Sequence, residues 1–405
     1  MSRAASRNTM TLRGSAMARR AGAMTGSETF QGVNTLLLLM LSLMVLGLLM
    51  MSSASVEIAS TQYGDPLYFA KRQLFFSLLG IAVVVVSLQV PLRYWYHCSA
   101  WLLLLTFLLL ALVLVPGIGH VVNGSARWID LGFYTIQPSE MAKVFLIIYL
   151  AAFLQRRRIE VRDSWSGFIK PIVVLGLFVA LLHFQPDHGA MALMLAITFG
   201  MLFLAGARLH RFLFVLFLGV AGIVALAIMK PYVIRRLSSF LNPWAEEYVY
   251  GEGYQLTQAL IAFGRGEWFG AGLGNSIQKL YFLPEAHTDF VVAIVAEELG
   301  LFGVMLVLGL FSMLVLQALR LGRQAEREGH SFSAYVAYGI AVLFASQVFI
   351  NIGVNTGLLP TKGLTLPFLS YGGNSLLVSC LMVGLLLRIQ YEIRTGKSGP
   401  EGEPL

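Results

Sequence analysis

Apolar runs separated by short polar breaks dominate the chain, and most are long enough to cross a bilayer. About 20 consecutive, mostly apolar residues are needed for a helix to span the hydrocarbon core. Ten windows qualify approximately: 33–54, 73–90, 97–115, 139–154, 168–184, 189–206, 211–229, 290–318, 334–353 and 375–390. The fourth and tenth are short. A transmembrane β-barrel would instead alternate polar and apolar residues in short segments. The pattern predicts an all-α polytopic membrane protein of ten transmembrane helices, with a large external loop between helices 7 and 8.

Charge orients this bundle. Cytoplasmic loops carry an excess of Lys and Arg. With the N-terminus inside, internal segments hold 19 of the 29 basic residues and external ones hold 10. Both termini are therefore expected in the cytoplasm. The net charge of +8 mostly reflects this asymmetry and is poor evidence for nucleic-acid binding. Residues 1–32 read as a disordered cytoplasmic leader; the first span, which follows it, is too long for a cleaved signal peptide. Residues 33–394 read as one membrane domain and 395–405 as a cytoplasmic tail. The two cysteines, Cys98 and Cys380, lie far apart in sequence, so neither a disulfide framework nor a zinc site is expected.

Three loops exceed the usual connection length: 116–138, 230–289 and 354–374. Loops longer than about 12–15 residues are usually functional or disordered. These are rich in Gly, Pro and aromatic residues, and the charge pattern puts all three on the outer side. Within the second, residues 254–263 have the spacing of a short interfacial helix. The following run, GRGEWFGAGLGNS (Gly264–Ser276), contains GAGLG, but a dinucleotide fingerprint requires a βαβ unit that is missing here. Glycines that permit tight turns, or a close backbone approach to a ligand, account for it better.

Ionisable residues in or beside spans are costly and point to function. In QPSEMAK (Gln137–Lys143), Pro138 suits a first helical turn, and Glu140 and Lys143 share a face at i, i+3. They form either an ion pair that joins helices or a charged pair lining a cavity. In QPDHG (Gln185–Gly189), Asp187 either caps the next helix or faces a cavity. Lys362, held between prolines in LPTKGLTLPFLSYGGNS (Leu359–Ser375), either meets an anionic ligand or snorkels to headgroups. NGSARWIDLG (Asn123–Gly132) sets Arg127 beside Trp128; its glycosylation-like triplet is a chance match.

LPEAHTDF (Leu283–Phe290) concentrates Glu285, His287 and Asp289 just before the eighth span. On an ideal helix Ala293, Ala296 and Gly300 continue the Asp289 face. That small-residue stripe admits either a neighbouring helix or a lipid chain beneath the carboxylate. Glu297 falls roughly 80° off that face and about 12 Å deeper. Glu298 points the other way, and both must face protein or water. His287 and Asp289 form no triad, since no serine is placed by the sequence. No HExxH or Gly-x-Gly-Asp motif suggests proteolysis.

These motifs, with GYQLTQALIAFGRGEWFGAGLGNSIQKL and AEELG, make the chain resemble the SEDS family (shape, elongation, division and sporulation) from about residue 33 to about 394, closest to its cell-division branch. Asn374 departs from the family's usual serine. The resemblance implies a peptidoglycan glycosyltransferase that polymerises lipid II into β-1,4 glycan during septal wall synthesis and releases undecaprenyl pyrophosphate. It implies Asp289 as catalytic base. Glu140, Lys143, Arg127, Lys362, Lys279 and Glu285 become substrate-binding candidates: Lys143, Arg127 and Lys362 for the pyrophosphate, with Lys279 behind them and Glu140 orienting Lys143. No cofactor is certain; a divalent cation (Mg or Mn) at the pyrophosphate is compatible. The implied partners are lipid II, a class B penicillin-binding protein and other divisome membrane proteins. The implied location is the bacterial inner membrane at the septum, with a periplasmic active site. The rival readings are a lipid II flippase, which needs no outer base, and a scaffold, which leaves the outer charges unexplained.

Overall fold

The computed structural model describes residues 35–122, 125–132, 134–217, 219 and 238–396. Seven helices are long and apolar enough to cross a membrane. They are α1 (Thr35–Tyr63), α2 (Tyr68–Gln89), α5 (Pro138–Asp163), α6 (Trp165–Phe184), α9 (Val291–Arg327), α10 (Ser331–Asn355) and α11 (Gly373–Thr395). Two shorter apolar helices, α4 (Ser99–Val113) and α7 (His188–Leu204), fall on the third and sixth windows. A short helix, α3 (Leu92–His97), makes the turn between α2 and α4. The seventh window largely lies outside the described residues, as do the leader and all but the first two residues of the tail.

Burial sorts the helices into interior and rim. The apolar windows of α5 and α11 are each 83% buried inside the protein, against 33% for α2, α6 and α9. α5 packs against α4, α6, α7, α10 and α11. Its charged first turn is thereby carried into the middle of the bundle. Because hydrocarbon offers helices no hydrophobic drive to associate, close packing of small residues holds them together. Gly80 of α2 faces Cys380 of α11, and Gly384 of α11 faces Ser87.

The loop 116–138 is folded, which its apolar-run pattern did not reveal. β1 (Gly119–Val122), β2 (Ser125–Asp130) and β3 (Thr135–Ile136) form an antiparallel meander in the order β1-β2-β3. The strands are too short for a period-2 signal. The legible cue is the dipeptide Asn123-Gly124 directly after Val121-Val122, a hairpin signal. The expected helix at 254–263 is present as α8 (Tyr254–Gly266).

The glycine run after α8 serves the fold. At Gly300 the backbone (φ 69°, ψ −166°) breaks α9. A break inside a membrane must have its freed polar groups satisfied by protein. Segment 267–272 does this: Leu301 and Phe302 donate to the Glu267 and Trp268 carbonyls at 3.0 and 3.2 Å, while Ala271 and Gly272 donate to those of Glu297 and Glu298 at 2.8 and 3.1 Å. A Cβ on Gly270 would lie 2.2 Å from the Glu298 carbonyl oxygen. The close approach is thus to the protein's own helix.

Candidate functional site

The three long loops meet at one end of the bundle, around two neighbouring cavities of about 470 and 480 Å³. The first is walled by residues from the starts of α2, α5, α7 and α11, the hairpin, and the loops before α9 and α11. It brings together Arg127, Glu140, Lys143, Glu285 and Asp289, five of the seven expected site residues. The second adds Lys362 and shares Ser125, Arg127, Asp289 and Gly363 with the first. Asp289 therefore stands on the wall between two cavities, each bearing cations.

The backbone of Asp289 is held tightly while its carboxylate is left open. The side-chain amides of Asn351 and Asn355, one turn apart on α10, both donate to the Asp289 carbonyl, at 3.0 and 3.1 Å. Asn351 also donates to the Leu364 carbonyl at 2.6 Å, and Asn355 accepts from the Ala293 amide at 3.2 Å. This ties the loop before α9, the first turn of α9 and the loop before α11 to one helix end. Among the described residues, no donor hydrogen-bonds the Asp289 carboxylate. A Cβ on Gly363 would lie 2.8 Å from Asp289 Oδ2, so a larger residue there would crowd the carboxylate.

Asp289 precedes α9 and lies outside the membrane-crossing helices. Burial pushes its carboxyl up to about 7, reinforced by Glu285 and Asp187 and opposed by Arg127. A base poised near the working pH accepts a proton most effectively.

Glu140 and Lys143 are buried at the start of α5, with Oε2 and Nζ 2.7 Å apart. The pair lies within α5 and both residues line the first cavity, which is the second of their open readings. Asp187 fills both of its expected roles. It caps α7 by accepting from Ala190 N at 3.1 Å, accepts from the Ser139 hydroxyl at 3.0 Å, and lines the first cavity. Arg127, on β2, donates to the Pro186 carbonyl at 2.6 Å, while its Nε is buried with no hydrogen-bond partner. Glu285 adopts φ 57° and accepts from the Thr288 hydroxyl at 2.6 Å.

The His287 carbonyl accepts from Tyr371 N at 2.9 Å, and its ring packs between Phe69 and Tyr371. Burial lowers its pKa. This is a structural role for the histidine. Asn374 stitches hairpin to helix: it donates to the Thr135 carbonyl and accepts from the Tyr134 hydroxyl, both at 2.8 Å.

Lys279 is not brought to either cavity. Its ammonium lies 2.9 Å from Glu298 and 3.1 Å from the Ser53 hydroxyl, buried behind the site. An acid as deep in the bundle as Glu298 needs a cation, and Lys279 supplies it. Glu297 is likewise consumed by protein: Arg265 at 2.7 Å, the Ser276 hydroxyl, and the amides of Ile277 and Gln278. The small-residue stripe takes the helix alternative, since a Cβ on Gly266 of α8 would lie 1.8 Å from the Ala296 carbonyl oxygen.

Three wall or support positions escaped the sequence reading. Arg72, which the motifs did not single out, lines the first cavity. Asn351 and Asn355 were detectable: two amides at i, i+4 at the end of an apolar window are what polar adhesion between membrane helices looks like.

A family model described as a cell cycle protein, FTSW_RODA_SPOVE, matches residues 34–395. The chain belongs to the FtsW/RodA/SpoVE family. Among its relatives, a protein of Hahella chejuensis is 52% identical over 365 residues, covering 90% of this chain and 91% of that one. One of Coxiella burnetii is 53% identical over 352 residues, covering 87% and 94%. Both are named probable peptidoglycan glycosyltransferase FtsW. Among solved structures, a chain from work on structural coordination of polymerization and crosslinking by a peptidoglycan synthase complex superposes with TM-score 0.73 at 29% identity, covering 88% of this chain and 97% of that one. The rod shape determining protein RodA of Thermus thermophilus superposes with TM-score 0.64 at 26% identity, covering 88% and 96%. Membership of this family fits a helical membrane protein with its loops gathered over one end.

Proposed function

We propose that this chain is a peptidoglycan glycosyltransferase that polymerises lipid II into β-1,4 glycan strands during septal wall synthesis in cell division. The relatives' names support this reading. The observation that carries it is Asp289: a fixed backbone and an open carboxylate between two cation-bearing cavities. A sugar hydroxyl is a weak nucleophile, so a positioned base must take its proton as bonding develops. Asp289 accepts the proton of the C4 hydroxyl of a GlcNAc. That oxygen attacks C1 of the MurNAc at the reducing end of the growing chain, with inversion. Undecaprenyl pyrophosphate departs with the bonding electron pair, and positive groups facing it lower the barrier. In this reading Arg127 and Lys362 supply them in the second cavity, and Arg127 and Lys143 in the first.

Among the described residues, no group of three His, Cys, Asp or Glu side chains could hold a metal ion. A Mg or Mn ion would have to be bound mostly by pyrophosphate and water, with one or two carboxylates. No step here is routed through it.

In this reading the chain crosses the bacterial inner membrane ten times, with both termini cytoplasmic and the cavities opening to the periplasm. A class B penicillin-binding protein crosslinks the product, alongside other divisome membrane proteins. The test is polymerisation of labelled lipid II by the purified chain with that partner. Asp289→Asn keeps the shape and removes the base, so it should reduce the rate of polymerisation by about 10²–10⁴-fold. Wild-type polymerisation by Asp289→Asn would sink the base assignment. Lipid II translocation by a wild type that makes no polymer would favour the flippase. A chelator arm reads the metal requirement.

A further inference from the structure

The loop before α11 passes the Asp289 carboxylate at Gly363, a residue that lines both the first and the second cavity. The backbone of Gly363 is not in the left-handed region, so its conformation does not call for glycine. Space does: an added Cβ would stand 2.8 Å from Asp289 Oδ2. Nor can the loop withdraw. Asn351 donates to the Asp289 and Leu364 carbonyls at 3.0 and 2.6 Å, so one side chain sets the gap between the two segments. One turn earlier on α10, Gln347 donates to the Thr365 carbonyl at 3.0 Å. From the other side, the first turn of α7 closes in: a Cβ on Gly189 would lie 2.9 Å from the Gly363 carbonyl oxygen.

A general base must come within about 2.6–3.2 Å of the oxygen whose proton it takes. The volume that a Cβ would fill at Gly363 falls inside that shell. We propose that Gly363 is a positioning residue: by carrying no side chain, it leaves the seat of the attacking sugar hydroxyl against Oδ2 of Asp289. The proposal rests on the polymerase reading above and deepens it. The proton of the C4 hydroxyl passes to Oδ2 as that oxygen bonds to C1, and the bond from C1 to the pyrophosphate breaks with its electron pair on the leaving group. A methyl at position 363 takes the hydroxyl's place or turns the carboxylate away from it. Either outcome parts the hydroxyl from its base while the cations that meet the pyrophosphate stay.

Two variants test this in the complex with the crosslinking partner, with labelled lipid II as substrate. A misplacement of about 1 Å can cost 10²-fold in rate, so Gly363→Ala should lower kcat about 10²-fold. Its KM and its Kd for lipid II should stay within about threefold of wild type, and its melting temperature should stay close to wild type. A kcat like that of wild type overturns the proposal. So does a loss confined to KM, which would make Gly363 a binding contact rather than the floor of the hydroxyl seat.

The second variant, Asp289→Glu, approaches the same volume from the other side and decides the matter if Gly363→Ala does not fold. It keeps a carboxylate but carries it one methylene further, into the seat that Gly363 leaves. Its kcat should also fall about 10²-fold with lipid II binding retained. Activity within about threefold of wild type would mean that the space beside Asp289 is loose, and would overturn the proposal. The two readings fail separately. A wild type that makes no polymer sinks the polymerase reading and this proposal with it, whereas a Gly363→Ala variant that polymerises like wild type sinks this proposal alone.

Discussion

Asp289 acts as a base only if its carboxyl has lost its proton when a sugar hydroxyl arrives. Burial pushes that carboxyl up to about 7, and Glu285 is the largest contribution from another charge. The protonated form is inactive, so kcat/KM, which reports the free enzyme, should fall tenfold per pH unit below about 7 and level off above it. Removing the Glu285 charge removes a reason to keep the proton. Glu285→Gln should therefore move this acid limb to lower pH, whatever it does to the plateau. An acid limb that stays put in Glu285→Gln would mean that another group sets the profile. Glu285, Arg127, Lys143 and Asp289 were readable as candidates because charge near hydrocarbon is rare. The amides of Asn351 and Asn355 that fix the Asp289 carbonyl carry no charge, and a search for ionisable residues passes over them.

At the scale of elements, the support beneath Asp289 is a broken helix and the segment that mends it. The first three turns of α9, from Val291 to Gly300, are held between the asparagines of α10 above and segment 265–279 below. Glu298, Lys279 and Ser53 tie this support to α1. Removing one partner of a buried ion pair leaves an uncompensated charge and costs roughly 3–5 kcal/mol. Glu298→Gln and Lys279→Met should each markedly lower the melting temperature in detergent. The double variant should lose less than the sum of the two, since it buries no lone charge. If Lys279→Met melts like wild type but raises KM for lipid II, Lys279 contacts substrate after all. The sequence showed two acids in an apolar window and a nearby lysine, but not that they belong together. Their pairing comes with the break at Gly300 and the segment packed against it, a single backbone conformation that hydrophobic periodicity does not encode. The same limit hid the hairpin, whose strands of 4, 6 and 2 residues are too brief for a period.

For the whole molecule, two sequence patterns bear on the architecture. The hydropathy windows found the long helices because a bilayer demands length and apolarity together. The Lys and Arg count divides the connections into two expected sets, and the described residues show two ends of different character. One end holds the cavities, with the hairpin and the loops before α9 and α11. The other holds surface ion pairs: Arg158 with Glu326 at 3.0 Å, Arg157 and Lys170 with Glu160, and Arg208 with Asp163. Under the proposed topology, alternating passage through a membrane produces this division, and the basic excess puts the ion-paired end in the cytoplasm. The assignment is open to direct measurement in intact cells. With Cys98 and Cys380 replaced by Ser, single cysteines are placed at exposed positions of each end. Thr61→Cys and Leu358→Cys should react with a membrane-impermeant maleimide added outside. Ser166→Cys and Glu328→Cys should react only after the membrane is opened. The reverse pattern would put Asp289 on the cytoplasmic face, where a base for outer-wall synthesis has no substrate to meet, and the proposed function would fall with the orientation.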